Sequence, residues 1–262
     1  MAPRTVRHNG GMNEAIKDTN EPLIERPLNL PEYFLLLCLD DEKGRLLLDG
    51  PTVGLGLAGA ALADLARRGR LKVTQTTVQS IDRPEQVFTG DPNPPAWAHT
   101  TDLEWPLEQV WDIIRAFTRH RDAEQWINRF SRQSLRDAVA ASLVKRGILE
   151  EDESIVLWVF HRTRYVEKDH HFEKELKNTL RSVLRGTQPA DEITWPLISL
   201  MRSTRLLHRL FPDSDKEHIR AAALTPVGSP GTTNSVSEVL QATENAIAEA
   251  LTATTGGASA LD

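Results

Sequence analysis

Arg129, Arg132 and Arg136 stand at i, i+3 and i+7, a spacing that predicts a single stripe along the helix whose apolar side carries Leu135, Val139 and Leu143. A guanidinium presents a planar fork of donors that suits phosphate oxygens, so a phosphorylated headgroup is a candidate ligand. Asp122 and Glu124 lie close enough in sequence to neutralise the stripe, and a merely solvated charged face is the alternative reading. Gly54, Gly56 and Gly59 satisfy G-x-G-x-x-G at the opening of a helix, a pattern through which bare backbone can approach a pyrophosphate. Here, however, Asp49-Gly50-Pro51 makes a turn where a dinucleotide fold needs a strand, which favours glycines that let helices pack closely. His170 and His171 with Glu167, Asp169 and Glu173 lack H-E-x-x-H spacing and read as a solvated face, so no metal is expected. The one cysteine, Cys38, excludes an intrachain disulfide, sits in an apolar run and is read as a core thiol. With no nucleophile elbow and no Walker loop, the chain is read as non-enzymatic and without a cofactor.

The elements that must position these residues follow from periodicity and punctuation. Pro31 and Glu32 start a helix over about 31–38, since proline costs nothing in a first turn and an acid there meets the positive helix end. The 40–44 segment turns. Ala58, Ala61, Leu62 and Leu65 give a helix ending at Arg68-Gly69, followed by one strand from Arg70 to Val78. Leu135, Val139 and Leu143 give another, ending at Lys145-Arg146-Gly147 before a strand at Ile148-Leu149, so helix, basic pair, glycine and strand occur twice. The run from Ser154 to Phe160 is a strand with Arg162 to Val166 as its hairpin partner. Trp158, Phe160 and Tyr165 would form an exposed apolar tip there for a partner chain or a membrane interface. Helices are also expected around Leu107–Ile114, Phe172–Leu184, Leu197–Phe211 and Ser235–Leu251, with a Pro- and Gly-rich loop over 89–96 and a linker at 225–233.

The 262 residues carry a net charge of −6, and the pI near 5.8 argues against a surface wholly given to nucleic acid. At 40% apolar and 26% charged residues the composition is that of a soluble globular protein. No apolar run reaches the roughly 18–20 residues of a spanning helix, and the polar first residues lack a secretion signal, so the expectation is a cytoplasmic chain. The expected fold is mainly α: one helical domain with small antiparallel β-hairpins in winged-helix-like units. Its parts would be a disordered leader over 1–27, a domain over 28–223, and a linker, C-terminal helix and flexible tail over 224–262.

The motifs in order resemble the Golgi phosphoprotein 3 family, phosphoinositide-binding coat adaptors with bacterial relatives. The resemblance is carried by Leu28-x-Leu30-x-Glu32-x-x-Leu35-Leu36-Leu37-x-Leu39 with Asp41-x-x-Gly44, by Gly56-Leu57-x-Gly59 through Ala66-x-Arg68-Gly69-Arg70-Leu71, and by Leu143-Val144-x-x-Gly147-Ile148-Leu149 with the hairpin after it. It implies a helical domain with hairpins, peripheral association with membranes through phosphatidylinositol 4-phosphate, homo-oligomerisation through the hairpin at about 157–168, and cargo in the form of membrane-protein tails. The family's headgroup pocket uses a tryptophan and three arginines. Arg136 matches one arginine, Asp49 stands at the tryptophan, and Ala58 and Gln133 stand at the other two arginines.

Together the arginine stripe and the family resemblance imply a cytoplasmic, peripherally membrane-associated adaptor that docks Arg129, Arg132 and Arg136 on an anionic phospholipid surface, with acidic or membrane-protein tails as cargo. No nucleic-acid partner is expected. A winged-helix-like DNA-binding regulator and a nucleotide-dependent enzyme are the competing readings.

Overall fold

The computed structural model describes residues 27–40, 45–74, 77–81, 103–119, 121–156, 160–167, 171–211 and 233–256. The helices are α1 (Leu30–Cys38), α2 (Gly50–Arg67), α3 (Leu107–Ala116), α4 (Ala123–Phe130), α5 (Gln133–Lys145), α6 (His171–Leu184), α7 (Thr194–Ser203), α8 (Leu207–Leu210) and α9 (Asn234–Gly256). Two antiparallel hairpins complete the described chain. One pairs β1 (Leu71–Val73) with β2 (Val78–Ser80), and the other pairs β3 (Leu149–Val156) with β4 (Phe160–Glu167). The mainly helical architecture with small hairpins is thus the one expected.

Helix α2 is the axis of the fold, with every residue from Thr52 to Arg67 buried. Its glycines allow three neighbours to approach. A Cβ at Gly54 would strike the backbone carbonyl of Ser131, one at Gly56 the ring of Phe34 in α1, and one at Gly59 the side chain of Thr243 in α9. The G-x-G-x-x-G motif is therefore a seam for helix packing inside α2, which begins upstream at Gly50, and the space a pyrophosphate would need is filled by protein. The nucleotide-dependent reading loses its motif. Gly54→Ala should cost about 1–3 kcal/mol through overpacking, read as a lower melting temperature. Gly50→Ala, whose new methyl would meet only Arg136 Nη1 at 3.7 Å, should leave it nearly unchanged.

Helix α1 starts with a capping box, in which Glu32 N–H donates to Asn29 Oδ1 and Asn29 N–H donates to Glu32 Oε2, each at 3.0 Å. The ends of α2 and α5 both converge on it. Asp64 of α2 accepts from Leu30 N–H at 2.9 Å, while Glu32 accepts from Ser142 Oγ at 2.7 Å and pairs with Arg146 Nη1 at 3.0 Å. Burial, which would lift the Asp64 carboxyl, is outweighed by Arg67, Arg68 and the Leu30 N–H, so its pKa lies below the usual 3.8. For Glu32 burial wins over Ser142, Arg146 and the Asn29 N–H, and its pKa is raised from 4.5.

The doubled helix–glycine–strand pattern is present in three dimensions. Gly69 and Gly147 take left-handed φ of 68° and 71°. After each, the same pair of bonds closes the helix: Gly69 N–H to Ala66 O with Arg70 N–H to Leu65 O, and Gly147 N–H to Val144 O with Ile148 N–H to Leu143 O. Asp64 and Ser142 occupy equivalent places in the two units, as do Arg68 and Arg146, each 78 residues apart (142 − 64 and 146 − 68). Each unit continues into a hairpin.

Several element boundaries differ from expectation. The single strand over 70–78 is the hairpin β1–β2, closed by Thr74 N–H to Thr77 O at 2.9 Å and Thr77 N–H to Thr74 O at 3.3 Å; β-branched propensity alone does not show this turn. The long helix over 197–211 is split at Arg205, which has a φ of 62°, placing Leu206 and Leu207 in the core. In the second hairpin Val156 faces Phe160, so Phe160 opens the second strand instead of closing the first. Helix α9 lies within the region read as a C-terminal extension. It packs on α2, α4 and α7 with Val236, Val239, Leu240 and Ile247 buried. The 40–44 turn lies partly, and the 1–26, 89–96 and 225–232 segments wholly, outside the described residues.

Candidate anion-binding site

The arginine stripe does not lie on one helix. The chain breaks at Ser131-Arg132: Arg129 closes α4, Arg132 is the N-cap of α5 in extended conformation, and Arg136 follows inside α5. At the break the Ser131 carbonyl lies against Gly54, and the two helices meet there in a corner. At that corner α5 has no side-chain cap; Leu135 N–H donates to Arg132 O at 3.1 Å, and the positive end of the helix dipole lies beside the two arginines.

Arg129 and Arg132 are exposed and share a groove of about 230 Å³ with Gln109, Val110, Ile113 and Phe130 among its walls. That volume is below the roughly 300–1,000 Å³ of pockets that enclose drug-sized ligands. Arg129 lies 5.6 Å from the centre of the Phe117 ring, itself at the edge of a stack in which Trp126 and Phe130 are 5.3 Å apart. Trp126 and Phe130 both belong to α4, so Phe117 is the ring that links this helix to the end of α3. Among the described residues neither Arg129 nor Arg132 has a carboxylate partner. Asp122 caps α4 by accepting from Gln125 N–H at 2.8 Å. Glu124 faces Glu249 of α9, and burial together with that second carboxyl raises its pKa from 4.5. The carboxylates that could have neutralised the stripe are thus committed elsewhere.

Arg136 faces a different place, beside Gly50 at the start of α2, and its Nη2 lies 3.4 Å from Asp137 Oδ1. That helix start is already satisfied. Asp49 accepts from Thr52 N–H at 2.9 Å and from Thr52 Oγ1 at 2.8 Å, putting the chain's own carboxylate on the positive end. Ala58 is fully buried and Gln133 is exposed. Of the three arginines, two come together in the groove and the third stands apart.

Trp158 lies outside the described residues. Phe160 and Tyr165 fall in β4 opposite Val156 and Glu151. Glu173 of the acidic and histidine run pairs with Lys177 at 2.6 Å, and among the described residues no cluster of potential metal ligands forms. Cys38 is buried, and burial pushes its thiol pKa far up. Sequence reasoning missed Ile113 and Gln109. The available signal was that Ile113 is an apolar residue beside the buried face of Leu107, Val110 and Ile114, with no place in it.

Two helix-and-hairpin units clamped on one short helix, with Arg129 and Arg132 exposed at the α4–α5 corner, define a small mainly helical domain. No described helix is long and apolar enough to cross a membrane. Residues 30–250 match the family model described as Golgi phosphoprotein 3 (GPP34), and the chain belongs to that family.

Proposed function

We propose that this protein is a non-enzymatic peripheral membrane adaptor that docks the α4–α5 corner on anionic phospholipid headgroups. The observation that carries the reading is the pairing of Arg129 and Arg132, both without a carboxylate partner among the described residues, on the rim of an open groove at an uncapped helix start. Local charge supports it. Between residues 112 and 137 six arginines stand against the four carboxylates Asp112, Asp122, Glu124 and Asp137, a local excess of positive charge in a chain of net charge −6.

Charge density, more than headgroup identity, sets the affinity in this reading, because Asp49, Ala58 and Gln133 stand where the resemblance puts headgroup-binding side chains. Phosphatidylinositol 4-phosphate is one suitable anion among several. Self-association through the β3–β4 hairpin and capture of a membrane-protein tail belong to the same proposal, and nucleic acid does not.

Vesicle sedimentation tests it. The protein should pellet with phosphatidylcholine vesicles carrying phosphatidylserine or phosphatidylinositol 4-phosphate at matched charge, fail with phosphatidylcholine alone, and release as salt rises. No pelleting with either anionic vesicle would refute the proposal.

A further inference from the structure

Among the residues whose burial is described, Trp105 and Ile113 are large hydrophobics left exposed, at 39% and 41%. They are not scattered. Pro106, Gln109, Val110 and Ile113 follow i, i+3, i+4 and i+7 along the start of α3 and all line the groove that Arg129 and Arg132 border, while Trp105 precedes Pro106 directly. The opposite wall adds Phe130, Leu135 and Ala138. An apolar floor thus runs out to an exposed isoleucine, with cations on its rim.

We infer that this groove sits at the boundary between headgroups and acyl chains of an anionic bilayer, with Ile113 and Trp105 entering the hydrocarbon edge while Arg129 and Arg132 hold lipid phosphates. The inference rests on the membrane reading above and assigns it a depth and an orientation. Charge complementarity argues for this occupant: the two guanidiniums lack carboxylate partners among the described residues and lie beside apolar surface. Arginine can rest its stem on such surface while its head stays with phosphate. Tryptophan suits the same boundary because its ring is apolar and its N–H is polar. The small volume of the groove fits one side of an interface better than an enclosed ligand.

The test uses the full chain with vesicles of phosphatidylcholine and phosphatidylserine. Ile113→Ser, a change at an exposed position, should weaken partitioning about fivefold, by a similar factor at low and moderate salt, since an apolar contact is not screened. Ile113→Leu should restore it. Brominated acyl chains should quench the wild-type tryptophan emission, and Trp105→Phe should lose part of that quenching. Wild-type binding that Ile113→Ser leaves unchanged, with no quenching assigned to Trp105, would overturn the inference and leave the headgroup proposal standing. Absence of wild-type binding would overturn both. If Ile113→Ser instead shifted the oligomeric state or abolished capture of an acidic peptide without altering vesicle binding, the groove would be a protein interface and the inference would fail.

Discussion

Asp64→Ala should lower the free energy of unfolding by about 3–5 kcal/mol, the usual cost of removing one partner from a buried charge pair. The carboxylate is fully buried and lies between Arg67, itself 7% exposed, and Arg68 Nε at 3.0 Å, while also accepting the Leu30 N–H. Without it two guanidiniums lose the charge between them and an amide at the start of α1 loses its acceptor. For a domain held by about 5–15 kcal/mol, urea midpoints at neutral pH should show the loss directly, and a change of under about 1 kcal/mol would contradict the account. The pH dependence has a definite sign. Because the folded pKa of Asp64 lies below its unfolded value of 3.8, its contribution is present above that value and disappears as pH falls through the folded one. Acid unfolding curves of Asp64→Asn should therefore be flatter below pH 3.8 than those of the wild type.

Arg129→Glu combined with Arg132→Glu should all but abolish recruitment to anionic vesicles. Each arginine near a charged surface contributes about 1 kcal/mol. Reversing both signs removes that attraction and adds a comparable repulsion, for a total of about 4 kcal/mol, or on the order of a thousandfold in affinity. Both side chains are exposed and without carboxylate partners among the described residues, so thermal stability should hold, separating loss of docking from loss of fold. Reversing Arg136 alone should matter much less, since it lies at Asp137 beside a helix start already capped by Asp49. A larger loss from reversing Arg136 than from reversing the pair would mean that the anion sits at the start of α2 and not in the groove. The effect should fade as salt rises, because added ions screen the attraction between exposed charges and an anionic surface.

Local signals were legible where the chain itself decides. The spacing of Leu135, Val139 and Leu143 and the glycine after Arg146 mark α5 and its end, and the equivalent residues mark the end of α2, because a left-handed closing residue is a requirement of a single turn. Pro31 and Glu32 mark the start of α1. What escaped was decided at a distance. Neither Gly nor Pro stands at Ser131-Arg132 to announce a break, and the surroundings of that break, where the Ser131 carbonyl lies against the bare Gly54 of α2, come from a distant part of the chain. Glu32 reads as an acid in a first turn, whereas its partners Ser142 and Arg146 come from 110 and 114 residues later. The candidate site suffers most from this. The stripe of three arginines is visible in sequence, but its division into a pair and an outlier depends on that tertiary break, and the apolar floor beneath the pair depends on α3 arriving from another part of the chain.

The two equivalent units share one fastener. Asp64 at the end of the first and Ser142 with Arg146 at the end of the second all attach within three residues of the start of α1, at Leu30 and Glu32. Neither half can swing away without releasing an amide or a carboxylate into dry surroundings, so opening is all-or-none across the pair. In the proposed docking, a corner assembled from the second unit and seated against Gly54 of the first would meet a headgroup layer as a preset shape, with little ordering left to be done at the moment of contact.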